Sequence, residues 1–145
     1  MLARLIRSRQ DTALLLLRLV IGLIFATYGW RHMSDLTGYI NAYDQAFNIP
    51  LPGLFAPLVA SIHLLGGFAV MLGVLTRYVG GLMAITMVVS TLTVRLPQGL
   101  AEGRDIFGLT GFWDLDLALF GIGVALLLVG PGAYALEHKL LGREI

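Results

Sequence analysis

Five ionisable residues stand within or near the ends of long apolar runs, where a charged side chain is costly and is usually paired or functional. They are Arg18, His32, His63, Arg95 and Asp114. Histidine exchanges protons near neutral pH, a carboxylate can do the same beside a cation, and arginine stabilises an anion. These residue types together could take up the protons that accompany electrons when a bound redox group is reduced.

The chain has no cysteine, which excludes thiolate catalysis, disulfide exchange and iron–sulfur ligation by cysteine. Redox chemistry would therefore need a bound cofactor or a partner protein. No metal is expected, because a metal site needs about three protein ligands and only His63 and Asp114 are convincing ones. Haem held by His32 and His63 is not expected either, because the two should differ by about 10 Å in depth.

The composition is that of an integral membrane protein, with 145 residues, 57 % of them hydrophobic, and a mean hydropathy of +0.83. A chain of this length predicts one all-α domain over residues 1–145, a bundle of four transmembrane helices. The predicted spans are about 12–33, 54–75, 78–96 and 112–129. The first apolar run is too long for a signal peptide, so we expect the first span to be retained. The net charge of +1 gives no reason to expect nucleic acid as a partner.

Basic residues are unevenly distributed between the two predicted sides. One side has Arg4, Arg7, Arg9, Arg77, Lys139 and Arg143, and the other has Arg31, Arg95 and Arg104. The positive-inside rule therefore predicts that both termini are cytoplasmic. In the first outer loop, residues 36–47 carry apolar side chains at helical spacing, which predicts an amphipathic helix lying on the outer surface or capping the bundle.

Helical geometry predicts which side of each span faces the bundle interior, because inward charges should share a face with small residues. The predicted inward groups are Arg18 and His32 with Gly22 and Gly29, His63 with Gly66 and Gly67, Arg95 with Gly81, and Asp114 with Ala118 and Gly121. Arg31, Trp30 and Asp116 are read as interfacial anchors. We expect Asp114 to pair with Arg95, and Arg18 to reach towards His63 or a backbone carbonyl.

These positions predict a site in the outer half of the bundle. His63 and Asp114 are the expected proton-exchanging, catalytic residues, and the expected ligand-binding residues are Arg18, His32, Arg95 and Trp113. Each also has a structural reading: His63 as a satisfied core histidine, Arg18 as a structural partner, and Trp113 as a member of an interfacial aromatic belt.

Three stretches resemble the DoxX-like family of small four-span membrane proteins. They are L-L-R-L-V-I-G-L-I-F-A-T-Y-G-W-R-H in the first span, I-H-L-L-G-G-F-A-V-M-L-G-V-L-T-R across the second, and L-V-G-P-G-A-Y-A-L-E after the fourth. The resemblance runs from about Leu15 to Glu137. It implies a bacterial or archaeal inner-membrane protein, and relatives include membrane subunits of thiosulfate:quinone oxidoreductase.

The resemblance also bears on single residues. Arg18 matches the family's arginine, and Asp114 falls where an acidic residue often stands. His63 occupies a position where glutamate is usual, and His32 one where lysine is common. The implied function is a quinone-interacting subunit or accessory of a membrane oxidoreductase, acting with a peripheral partner in the lipid bilayer.

Two other functions remain open. The protein could be a non-catalytic scaffold that docks a partner through a short C-terminal amphipathic helix containing Tyr134, Glu137 and Lys139. It could instead bind or transport a small solute or lipid, although no inverted repeat and no break within a span favours transport. Association of several copies of the chain is compatible with each reading.

Overall fold

The computed structural model describes residues 2–103 and 113–137. The described chain is helical and contains no strand. Its helices are α1 (Leu2–Ser34), α2 (Leu36–Asn41), α3 (Pro52–Leu72), α4 (Thr76–Ser90), α5 (Leu96–Ala101) and α6 (Asp114–Val129). A π-helical turn at Ala42–Ala46 follows α2, and another at Thr91–Arg95 joins α4 to α5.

Three described helical segments are long and apolar enough to cross a membrane: Arg9–Ser34, Pro52–Leu72 and Thr76–Ala101. They correspond to the first three predicted spans. The fourth predicted span is seen as the 16-residue helix α6, about 24 Å long and therefore shorter than a core of about 30 Å. Four spans therefore stay a prediction, and residues 104–112 lie outside the described chain.

Helices α1 and α3 pack backbone against backbone because glycines face each other where they meet. A Cβ added at Gly67 would lie 2.5 Å from Ala26 N and 2.7 Å from Gly22 O, and a Cβ at Gly29 would collide with the backbone of Leu64. Small residues allow this close approach within membranes, where packing rather than water exclusion holds helices together. The glycines therefore set the relative level of α1 and α3 along the bundle axis.

Helices α4 and α6 form a second close pair. A Cβ added at Gly123 would lie 2.8 Å from Gly80 O, and one added at Gly80 would lie 3.0 Å from Gly123 O. A shared core of Ile21, Phe25, Val70, Met83, Met87, Leu119 and Leu126 lies between the two pairs. The tight turn between α3 and α4 joins the pairs at one end of the bundle.

At this turn the chain after α6 folds back over the bundle. Leu75 N donates to Glu137 Oε2 at 2.7 Å, and Ala133 N donates to Asp11 Oδ1 at 3.0 Å. Glu137 is only 3 % exposed, so its side chain is not available to a docked partner in the scaffold alternative. Its carboxylate instead caps the start of α4. Tyr134, from the same proposed docking helix, is exposed, and Lys139 lies outside the described residues.

The opposite end is covered by α2 and the π-helical turn after it. Asp35 caps α2 by accepting from Gly38 N at 3.0 Å. Tyr39, Tyr43 and Phe47, which belong to the predicted amphipathic segment, turn towards the bundle. The segment thus packs on the bundle end, whereas its placement on the outer side of the membrane stays a prediction.

Replacing Gly67 with alanine should destabilise the protein by about 1–3 kcal/mol, because the new methyl group overpacks a contact between two backbones. The measurement is the thermal unfolding midpoint in detergent. Gly121→Ala is the matched control, since Gly121 lies in α6 with nothing within 4 Å of an added Cβ. Equal midpoints for the two variants would contradict the close α1–α3 contact.

Candidate functional site

A cavity of about 470 Å³ lies between the two helix pairs, on the side of the bundle away from the α3–α4 turn. Its wall is mainly apolar and aromatic, with a few polar side chains. The polar and ionisable members are Tyr28, His32, Tyr39, Tyr43, His63, Thr86, Ser90, Thr93, Arg95, Gln98 and Asp116. A largely apolar wall with a few placed polar groups and a volume of roughly 300–1,000 Å³ is typical of a small-molecule site.

His63 forms the deepest polar part of the wall. It stands about 15 Å from the α3–α4 turn, near the middle of a core of about 30 Å. Phe25 packs edge-on against its ring with centroids 4.8 Å apart, and the residue is 7 % exposed. The stripe of α3 that carries His63, Ala60 and Gly67 is buried, so its predicted inward orientation is confirmed.

The hydrogen bonds of Thr86 determine which nitrogen of the neutral His63 ring carries the proton. Thr86 Oγ1 donates to Met83 O at 2.8 Å, and His63 Nε2 lies 3.2 Å from the same oxygen. Because the hydroxyl has one proton and gives it to the carbonyl, Nε2 must be the donor. Nδ1 is then an acceptor, and it is buried with no hydrogen-bond partner among the described residues.

A stack of rings covers the cavity at the α2 end. His32 and Tyr39 lie parallel with centroids 3.8 Å apart, and Tyr28 also stacks against His32, with centroids 6.3 Å apart. Tyr39 and Tyr43 share a hydrogen bond of 3.1 Å between their hydroxyls. Burial raises the pKa of both phenols, that of Tyr39 further through the bond to Tyr43. Both therefore remain protonated, and able to donate, at neutral pH.

Arg95 and Asp116 form the polar mouth of the cavity. Arg95 Nε lies 3.7 Å from Asp116 Oδ2, and Thr91 Oγ1 donates to the same oxygen at 3.4 Å. The Arg95 side chain is 39 % exposed, whereas that of Asp116 is 6 % exposed. The mouth thus holds a carboxylate inside and its cation towards the surroundings.

The prediction that Asp114 faces inward and pairs with Arg95, with Asp116 an outer anchor, was wrong. Asp114 is exposed and Asp116 is buried. Helix α6 carries glycine on both faces, and the sequence reasoning chose the one with Gly121. Gly123 is the glycine that packs on α4, and Asp116 lies seven residues before it, on the same side of the helix.

Arg18 lies away from the cavity, although its inward orientation is confirmed at 1 % exposure. Its guanidinium donates to Val70 O at 3.0 Å, Met71 O at 3.0 Å and Pro131 O at 2.9 Å. Of the two predicted targets, a backbone carbonyl was therefore right and His63 was not. Trp113 directly precedes α6 and is not among the described side chains that line the cavity.

His32 and His63 are closer than their predicted difference in depth allows. Their ring centroids are 6.2 Å apart, against an expected depth difference of about 10 Å. The reason is the level at which α1 and α3 pack: Gly29 sits against His63 and Leu64, so His32 is only about 4.5 Å further along α1. That no haem binds stays a prediction.

Thr86 and Asp116 are the site residues that sequence reasoning missed. Thr86 is one of several hydroxyl residues in α4, and its role depends on which of them meets His63. A signal for Asp116 did exist: it lies seven residues before Gly123, so helical spacing puts both on one face. Among the described residues no group of three or more histidines and carboxylates could hold a metal ion.

Comparison with known proteins supports a membrane protein of one family. The sequence profile described as DoxX matches residues 13–96. The chain is 34 % identical to a Bacillus subtilis protein named "Putative oxidoreductase CatD", over 74 % of this chain and 78 % of that protein. It is 28 % identical to the inner membrane protein YqjF of Escherichia coli, over 92 % and 96 % of the two chains. An uncharacterized membrane protein of Mycobacterium tuberculosis is 27 % identical over 97 % and 88 %. No solved structure matches the chain significantly.

Proposed function

We propose that this chain, which belongs to the DoxX family of membrane proteins, binds the ring of a quinone in the cavity and exchanges a proton with it at His63. The observation that carries the proposal is the buried Nδ1 of His63, which has no hydrogen-bond partner among the described residues and belongs to a side chain lining a cavity of about 470 Å³. The name of the Bacillus subtilis relative supports an oxidoreductase.

A quinone ring suits both parts of this wall. Its faces are apolar and fit between Phe25 and the other apolar side chains, while a ring oxygen can meet the polar group at the deep end. A buried acceptor left without a donor costs about 1–3 kcal/mol. A ligand hydroxyl at Nδ1 would remove that cost, because the quinol form of the ring carries such a donor.

Two residues of the chain would transfer protons, His63 at the deep end of the cavity and Asp116 at its mouth. When bound, a quinone supplies two-electron chemistry coupled to two protons. His63 accepts a proton from the ring hydroxyl, or returns it, at Nδ1, while Thr86 holds the ring through Nε2. Asp116 at the mouth is the carboxylate that exchanges protons with the aqueous side, and the Arg95 guanidinium lies 3.7 Å from it. Asp116 thus takes the role that sequence reasoning gave to Asp114.

The electrons would come from a peripheral oxidoreductase partner, because the chain has no cysteine for thiol redox steps. We place the protein in the cytoplasmic membrane of a bacterium or archaeon, with both termini in the cytoplasm. The excess of basic residues near the α3–α4 turn, such as Arg77, supports that orientation.

The proposal is tested by quinone binding to the purified protein in lipid nanodiscs. His63→Phe keeps an aromatic ring but removes Nδ1. We expect the dissociation constant of menadiol, the reduced ring that carries the hydroxyl donor, to rise about tenfold, the equivalent of one lost hydrogen bond of about 1.4 kcal/mol. His63→Gln retains an acceptor and should restore part of the affinity.

The matched control is Leu65→Phe, which places a ring on an exposed position of the same helix, outside the cavity wall. It should bind menadiol as the unaltered protein does. No saturable binding to the unaltered protein, or an equal affinity for the His63→Phe variant, would refute the proposed site.

A further inference from the structure

The cavity has a second opening, through the cleft between α3 and α4. Near the turn these helices touch, since a Cβ added at Gly66 would lie 3.0 Å from Val79 Cγ1. Further from the turn their facing side chains line the cavity and are also exposed at the surface of the bundle. These are Phe55 (38 % exposed) and Leu58 (49 %) on α3, and Leu82 (45 %), Ile85 (61 %) and Val89 (48 %) on α4.

The position of the cleft places it in contact with lipid. Leu82 lies about 9 Å along α4 from the turn, and Phe55 about 27 Å along α3, so the cleft falls within a hydrocarbon core of about 30 Å. All five side chains of its rim are apolar. The cavity therefore opens to the acyl-chain region of the bilayer through this cleft. Its other opening is the polar mouth, which Arg95 and Gln98 line.

The two openings match the two ends of an amphiphile. His63 at the deep end and Asp116 at the mouth can hydrogen-bond the polar groups of a ring, whereas the five rim side chains of the cleft are all apolar. A ligand with an aliphatic chain can keep its ring in the cavity while the chain passes between Leu58 and Ile85 into the bilayer. A ligand without a chain leaves the cleft to be filled by lipid.

We propose that the cleft between α3 and α4 holds the aliphatic chain of the ligand, so that the protein takes a lipid-soluble, chain-bearing substrate directly from the bilayer. This inference rests on the proposed function, since it assigns the chain of the same ligand whose ring lies at His63. It adds that substrates arrive laterally, and that the side chains at positions 58 and 85 select for the chain.

The test compares decylubiquinone with the same ring lacking its chain, in nanodiscs, for variants that fill the cleft. Leu58→Trp and Ile85→Trp should weaken binding of decylubiquinone about tenfold or more, and leave the affinity for the chainless ring unchanged. Leu65→Trp and Leu92→Trp are the matched controls. Each lies two turns along the same helical face, is exposed, and is outside the cavity wall.

Each result separates the inference from the function beneath it. If the filling variants bind both ligands normally, or weaken both equally, the cleft does not hold the chain, and the ring site at His63 stands by itself. If native mass spectrometry shows a bound phospholipid that stays bound when decylubiquinone is added, the cleft is a lipid site and the inference fails. If neither ligand binds the unaltered protein, the proposed function fails with it.

Discussion

Replacing Arg18 with methionine is expected to lower the free energy of unfolding by about 3–5 kcal/mol, because three buried hydrogen bonds of about 1–1.5 kcal/mol each are lost. The guanidinium donates to Val70 O and Met71 O at the end of α3 and to Pro131 O after α6. The last carbonyls of a helix lack the full set of partners within the helix, and a hydrocarbon environment offers them none. Methionine fills the space but donates nothing.

The position of the charge adds to this cost. A cation at a helix C-terminus interacts favourably with the helix dipole, and Arg18 also interacts electrostatically with the buried Glu137. Arg18→Met would remove that attraction. Gly73 is part of the same arrangement, since a Cβ there would lie 2.6 Å from Arg18 Nη2. One guanidinium thus holds α1, α3 and the segment after α6 together.

Equilibrium unfolding in mixed detergent micelles measures the effect. Arg18→Lys should recover only part of the stability. A compact ammonium group cannot hydrogen-bond all three carbonyls that the planar guanidinium reaches at once. Arg31→Met is the control, since Arg31 is an exposed cation on the same helix. An Arg18→Met variant as stable as the Arg31→Met variant would contradict the structural role of this arginine.

The second large effect concerns accessibility at the start of α6. Because the chain contains no cysteine, single replacements report on one position each. Asp114→Cys should react rapidly with a water-soluble maleimide, whereas Asp116→Cys should react far more slowly, because residue 116 is 4 % exposed and residue 114 is exposed. The rate of mass increase in nanodiscs measures both reactions.

The same pair of variants tests the proposed ligand. Saturating decylubiquinone should slow labelling at residue 116, which lies in the cavity wall, and should leave labelling at residue 114 unchanged. Both labelling rates should be measured at a pH above the pKa of either thiol, so that the two thiols do not differ in ionisation. Faster labelling at 116 than at 114 would show that the orientation predicted from the sequence was right and that the structure's was wrong.

The faces of α1 and α3 were predictable because each of these helices offers one choice. In α1 the charged Arg18 and the glycines at 22 and 29 lie on one stripe, and no other charged residue stands between positions 12 and 30. In α3 the stripe of His63 is marked by Gly66 and Gly67. Polar groups and small residues both favour the interior of a membrane bundle, so where they coincide the inference is secure.

The face of α6 was not predictable by the same rule. Two carboxylates, at 114 and 116, and two glycines, at 121 and 123, provide two self-consistent stripes. Which of them is buried depends on the contact between Gly123 and Gly80, residues 43 positions apart in the chain. Similarly, counting residues along α1 and α3 could not give the distance between His32 and His63, because it cannot show at what level the two helices meet.

The sequence by itself therefore determined that this is a helical membrane protein of the DoxX family, that Arg18 and His63 point inward, and that residues 36–47 have an apolar face. The family follows from the resemblance of whole sequence stretches, and the other properties follow from composition and from periodicity within one helix. The tertiary structure alone decided that Arg18 donates to the last carbonyls of α3 and does not line the cavity. It also decided that Asp116 rather than Asp114 lies at the cavity, and that the bond to Thr86 makes His63 Nδ1 an acceptor. Each of these depends on the axial position and rotation of one helix against another, which are set where glycine backbones meet.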